Sequence, residues 1–273
     1  MLESILSFVG AMPSWQKLSW VLICLFFSWG LEFAAPLFQF QYKKIKHIGF
    51  NLVFLACSII INVVMGLITL GVFNYTSTSE FGLLHLFQLP LWAELIITLL
   101  VLDFMAQYVV HILLHKVRWM WKFHLVHHSD TKVDATTGTR HHPGDYLMRE
   151  IFAIGTAFLL GAPLAFYLFY RICTVFFTYL THANFYLPIW LDKTIALVFI
   201  SPNMHKFHHH FERPWTDSNY GNMFSFWDRI FGTYVYANPK DIDFGVDTLE
   251  AEKSQDFKYQ FGLPFNKNIK TDY

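Results

Sequence analysis

The side chains with most chemistry to offer in this sequence are imidazoles in three short bursts: His111 with His115, His124 with His127 and His128, and His205 with His208, His209 and His210. His141, His142 and His182 lie between the bursts, and His47 and His85 lie upstream, fourteen histidines in all. On a helix, positions i and i+4 differ by about 40° of rotation, so each burst aims its rings one way. Neutral imidazole is the commonest side-chain metal ligand and suits iron, zinc and copper. A single zinc takes three or four protein ligands, and its usual helical signature is HExxH. That signature is absent, because neither Glu150 nor Glu212 is spaced for it. Roughly eight to ten histidines suffice instead for two metal ions with positions left open. Four histidines take blander readings. His47 stands beside lysines and reads as a headgroup contact, and His85, in a polar loop, reads as a surface residue. His141 and His210 adjoin stronger candidates and read as bystanders or outer hydrogen-bond donors.

The elements that position these rings are expected to be membrane helices. The sequence is 54% hydrophobic and 15% charged, whereas an ordinary soluble domain is about 25% charged. Its mean hydropathy is +0.35. Formal net charge is zero, which gives no electrostatic case for nucleic acid. Cys24, Cys57 and Cys173 lie in apolar runs without a CxxC and read as core or lipid-facing residues. The 30 phenylalanines are spread along the whole chain and mark no cofactor box.

Three segments, about 14–38, 49–73 and 89–115, are long enough to cross a hydrocarbon core of about 30 Å. A fourth apolar region, about 148–180, is interrupted at Gly161-Ala-Pro163 and is expected to form a broken helical hairpin that enters and leaves on one side. Arg171 inside it should face protein or headgroups. The first span exits into Lys43, Lys44 and Lys46. The third exits into Lys116, Arg118 and Lys122, with Trp119 and Trp121 as interface anchors, while residues 74–90 carry no Lys or Arg. The positive-inside rule then places the basic loops and the histidine bursts in the cytoplasm and the N-terminus outside. The first fifteen residues lack a basic leader and a cleavage site, and read as an interfacial segment. The expected fold is all-α, a single domain over 1–273: an integral membrane helical bundle of three spanning helices plus the hairpin. A cytoplasmic histidine-rich helical cap covers 116–147 and 181–249, and a charged tail covers 250–273.

In order, the motifs read HxxxH, HxxHH, RxHP, HxN and HxxHH. They lie in WKFHLVHHSD (121–130), DATTGTRHHP (134–143), HAN (182–184) and NMHKFHH (203–209), followed by SNYG (218–221) and WDRIFGTY (227–234). Over roughly residues 103–234 this resembles the fatty acid hydroxylase superfamily, which includes sterol desaturases, C4-sterol methyl oxidases and alkylglycerol monooxygenase. The resemblance implies a centre of two Fe ions, O2 as co-substrate, and a lipid substrate in the membrane. It also implies a separate electron donor, such as a ferredoxin, a cytochrome b5-like protein or a reduced pterin. The implied reaction is hydroxylation or desaturation of a C–H bond in an acyl chain, a sterol-like molecule or an ether lipid. The ligands it assigns are His111, His115, His124, His127, His128, His182, His205, His208 and His209, with His142, at the RxHP position, as the tenth. Asp103, Asp130, Asp134, Asn184, Asp217 and Asn219 are candidates to fix ring tautomers from outside. Asp103, an acid within a span, is also expected to have a partner. The chain departs from the pattern at Ile112, where many relatives carry Arg, and at Asp145, where many carry Glu.

Two other readings compete. A histidine-rich membrane metal transporter or metal-binding protein needs polar ligands near the bilayer midplane. Here the bursts gather at one face, above spans holding only Glu32, Glu94 and Asp103. A zinc-dependent membrane hydrolase needs a glutamate base beside its ligands, and none is evident.

Overall fold

The computed structural model describes residues 1–269, so residues 270–273 of the expected tail lie outside it. Its regular structure is helical, and β pairing among the described residues is confined to three isolated bridges. Helix α1 (Leu2–Gly10) is followed by α2 (Ser14–Ala34), α3 (Lys44–Ser79), α4 (Leu91–Asp103) and α5 (Val110–Lys116). A π-helical stretch, Phe104–Val109, joins α4 to α5 without a break. Then come α6 (Arg118–His128), α7 (Pro143–Leu160), α8 (Leu164–His182), and the short helices α9 (Ile189–Ile195), α10 (Pro202–His208), α11 (Phe226–Ile230) and α12 (Phe257–Gly262).

Proline sets many of these boundaries. Pro13, Pro90, Pro163 and Pro188 each stand in extended backbone just before a helix, where a missing N–H costs nothing. Four stretches are long and apolar enough to cross a membrane: Ser14–Ala34, Lys44–Leu86, Leu91–Lys116 and Leu164–His182. The first three correspond to the expected spans. The fourth is one arm of the expected hairpin, and α7 is the other. At the break Gly161 adopts φ 67 and the opposite connection has Gly82 at φ 126. A Cβ on either glycine would run into the backbone of the other connection, so the two turns meet backbone to backbone. The hairpin therefore runs as deep as the α3–α4 pair. Arg171 pairs with Glu150 and donates to Tyr146 Oη at 2.8 Å, so it faces protein.

Helix α3 is 36 residues long, on the order of 54 Å at 1.5 Å per residue, well beyond the hydrocarbon core. Its middle exposes Val63, Val64, Leu67 and Ile68. Its first turns instead bury His47, Phe50, Asn51 and Phe54. Phe50 and Phe54 pack with Trp121, Leu125, Val126 and Leu263, so the segment expected as a tail is docked beneath α6. Trp121, expected at the interface, is buried against the rings of His115 and His128, whereas Trp119 is exposed. Helix α1 packs Leu6 against Leu95 and Phe166, at the end of the bundle away from the three histidine bursts.

Candidate metal centre

Four elements deliver the histidines to one end of the bundle. Helix α5 brings His111 and His115, α6 brings His124, His127 and His128, and α8 ends on His182. Helix α10 carries His205 and His208, with His209 as its C-terminal cap. Ser201 starts that helix by accepting from the Met204 N–H. All nine rings are buried.

The nine rings form two groups whose ligand atoms lie within 4.8 Å of one another. One holds His111, His115, His124, His128 and His208, and the other holds His127, His182, His205 and His209. Each HxxHH box is divided between them. The outer histidines, one helical turn apart, share a group: His124 with His128, and His205 with His209. The inner histidine crosses over, so His127 joins the second group and His208 the first. Neighbouring helix residues point about 100° apart, which is why an HH pair feeds two groups and not one.

Ring orientation shows what such groups can hold. His111 Nδ1 donates to the Tyr220 carbonyl at 2.8 Å, and His124 Nδ1 donates to Asp145 at 2.8 Å. Their Nε2 atoms therefore present bare lone pairs to each other, 3.0 Å apart. His182 Nδ1 likewise donates to the Thr178 carbonyl at 2.7 Å. Its Nε2 faces those of His127, His205 and His209 at 3.1 to 3.2 Å. His115 Nε2, His208 Nε2 and both ring nitrogens of His128 are buried without a hydrogen-bond partner among the described residues. The facing lone pairs of His111 and His124, and three Nε2 atoms crowded on that of His182 where one proton at most can be shared, fit a cation, and imidazole suits a transition metal. Burial also holds the rings neutral, as ligation requires. It depresses His124 to about 3 against the opposing pull of Asp145, and takes His127, His128, His205, His208 and His209 well below the ordinary histidine value.

Of the candidate outer partners, Asp217 touches a ring, accepting from His115 Nδ1 at 3.3 Å and from Lys116 at 2.7 Å. Asp103 has the expected partners but works at a remove: it accepts from the Met223 and Phe224 N–H groups and from Trp227 Nε1. It thereby pins the segment beyond Tyr220. Asn219, at φ 51, bridges the carbonyls of Met204 and Val235. Asn184 brackets Phe38, and Asp134 caps the turn Ala135–Thr139. Asp130 grips His47 at 2.9 Å and Thr137 at 2.7 Å. Burial would raise its carboxyl, but the charges of His47 and Arg140 outweigh that and hold it well below the usual carboxylate range.

His142 lies in neither group. Its Nδ1 accepts from the Gly144 N–H, and its ring sits among Phe123, Phe261 and Phe265. His141 stands closer to the centre, stacked on His127 with centroids 4.3 Å apart and held by Asp145 at 2.9 Å. His210 packs by Trp215, and His85 is exposed beside Gly161. His47 is not a headgroup contact. It is fully buried, with Nε2 on Asp130 and Nδ1 3.2 Å from Asp134. Sequence reasoning also missed Asp145, which a His141-to-Asp145 spacing of i, i+4 would have flagged. The carbonyls of Tyr220, Ser218 and Thr178 have no side-chain signal at all.

Residues 95–233, half of the chain, match the family described as fatty acid hydroxylase. The chain belongs to the fatty acid hydroxylase family. It is similar to ornithine lipid hydroxylase OlsE of Rhizobium tropici, 28% identical over 181 residues that cover 66% of this chain and 53% of the relative. It is also similar to human alkylglycerol monooxygenase, 27% identical over 57% of this chain and 34% of the relative. A cholesterol 25-hydroxylase-like protein of Danio rerio is 28% identical over 51% of this chain and 55% of the relative. The chain thus spans between a third and about half of the length of these relatives. No solved structure matches it. Both histidine groups lie within the matched residues, and α1, α2 and α3 precede them.

Proposed function

We propose that this family member is a membrane oxygenase that hydroxylates a lipid C–H bond at a centre of two iron ions. The nine buried rings are its ligands in this reading: five for one ion, four for the other. The observation that carries it is the convergence of ring nitrogens in two adjoining, buried groups. When bound, the two ions supply O2 activation and the removal of hydrogen from an unactivated C–H bond. Overall, one O2, two electrons and two protons convert a C–H to a C–OH and water. Relatives named as hydroxylases and monooxygenases favour hydroxylation over desaturation.

The chain's own residues do the rest. Buried imidazoles stay neutral and ready to ligate, and Asp145 and the carbonyls of Tyr220, Ser218 and Thr178 fix which nitrogen faces inward. The apolar flanks of α2 and α3 provide the lipid setting in which an acyl chain, sterol-like molecule or ether lipid would approach. Electrons are supplied by a separate donor, for which a ferredoxin, a cytochrome b5-like protein and a reduced pterin are the candidate classes. Lys43, Lys44, Lys46, Lys116, Arg118 and Lys122 all border the histidine end, whereas the 80–90 connection carries no Lys or Arg. That asymmetry supports a cytoplasmic histidine site.

Comparative lipid mass spectrometry of cells carrying the intact gene or its His127→Ala variant tests the reading. A lipid one oxygen heavier, present only with the intact gene, is expected. Identical lipid profiles, or purified protein that works without metal, would overturn it.

A further inference from the structure

The two groups are tied down unequally. In the five-histidine group, His111, His115, His124 and His208 each have Nδ1 held from outside, by Tyr220, Asp217, Asp145 and Ser218. In the four-histidine group only His182 is so held. The Nδ1 atoms of His127, His205 and His209 are buried without a hydrogen-bond partner among the described residues. His182 is thus the ring of this group with a protein partner on its outer nitrogen, and contacts converge on the backbone behind it. The turn Ala135–Thr139 lies there. A Cβ on Gly138 would stand 2.9 Å from Thr178 Cγ2, 3.1 Å from the Thr178 carbonyl and 3.5 Å from His182 Nδ1. The carbonyl that orients His182 is therefore backed by this turn.

The turn is in turn held by residues of α2 and α3, which lie outside the part of the chain that matches the family. Glu32, buried near the end of α2, accepts with one oxygen from two backbone N–H groups, Ala135 at 2.7 Å and Asn184 at 2.9 Å. A single carboxylate so joins the turn to the chain two residues past His182. His47, in the first turns of α3, sits between Asp130 and Asp134, the two acids that flank the entry to the turn. Asn51, one helical turn on, donates to Thr136 at 2.9 Å. Neither Glu32 nor His47 touches a candidate ligand ring, and buried polar groups spent on such bridging are costly unless the geometry they fix matters.

We infer that Glu32 and His47 are positioning residues for the four-histidine group, acting through the 130–139 segment and Gly138 on His182. This rests on the two-metal reading above. The effect is selective, because the five-histidine group has its own outer partners and the four-histidine group has this one.

The test is metal content and metal affinity of the full-length chain, purified in detergent and loaded with iron(II). Glu32→Ala and His47→Ala are expected to weaken one of two metals by about 10- to 100-fold, the loss usual for an outer partner. Bound iron would fall from about two to about one per chain, and the magnetic coupling between neighbouring ions would vanish. Glu32→Gln, which keeps an acceptor oxygen in place, should hold both metals. Gly138→Ala, which removes no hydrogen-bonding side chain and presses on Thr178 and His182, should reproduce the selective loss, which covers the case in which His47→Ala fails to fold. Retention of both metals at unchanged affinity in Glu32→Ala and Gly138→Ala would overturn the inference, as would equal loss of both metals from a folded protein. Wild-type protein that never holds two metals would sink the two-metal reading itself, a distinguishable result.

Discussion

In the five-histidine group four rings are held by partners on their outer nitrogen, whereas in the four-histidine group one ring is. Both groups draw on the same HxxHH motif, so the motif alone does not determine how the rings of a group are held. Their outer partners differ, and they come from different places. Those of the first group are Asp145, Asp217 and two carbonyls of the 218–220 segment. Those of the second are a carbonyl on α8 and, behind it, polar residues of the two upstream helices. One centre is braced locally, the other by the bundle.

The largest effect should come from removing a ring. His127→Ala leaves three rings in its group and His128→Ala leaves four in the other. Both should bring lipid hydroxylation below detection, but only His127→Ala should cost the protein a metal, since about four protein ligands still hold an ion. Metal analysis of the two purified variants checks this, and equal metal loss would erase the contrast. Next, Asp145→Ala frees His124 and should weaken metal at the five-histidine group by about 10- to 100-fold, read by chelator competition. Asp217→Ala should do less, below about 10-fold, because its bond to His115 is long at 3.3 Å and shared with Lys116. The smallest effects belong to the RHHP histidines. His142→Ala should leave metal content unchanged, whereas His141→Ala, which removes the ring stacked on His127, should lower retention at the four-histidine group under chelator. The reverse order would return the tenth-ligand role to His142.

Much of the arrangement was legible in the residues. The i, i+4 spacings pick out rings that fall in one group, and Gly161-Ala-Pro163 marks the hairpin tip. Pro36 ends the first span sooner than hydropathy suggested, at Ala34. The division of each HH pair was not legible, because it depends on how α6 and α10 lie against each other and not on either helix alone. His47 misled for a local reason: three nearby lysines made it look like a surface residue, while its partners, Asp130 and Asp134, lie more than eighty positions away. Residues 250–269 are charged enough to read as a tail. Yet Gln260 accepts from Ser129 at 2.8 Å and Arg140 reaches the Ser254 carbonyl, contacts no composition could announce.

The crossing of His127 and His208 makes the helix itself a gauge. The offset between the two centres is one residue step on α6, repeated on α10 in the opposite sense, so it is fixed by a rise of about 1.5 Å and a turn of about 100°. Loops around the site can lengthen or drift without altering that offset. A single residue inserted into α6 ahead of His124 would reassign every ring on that helix at once.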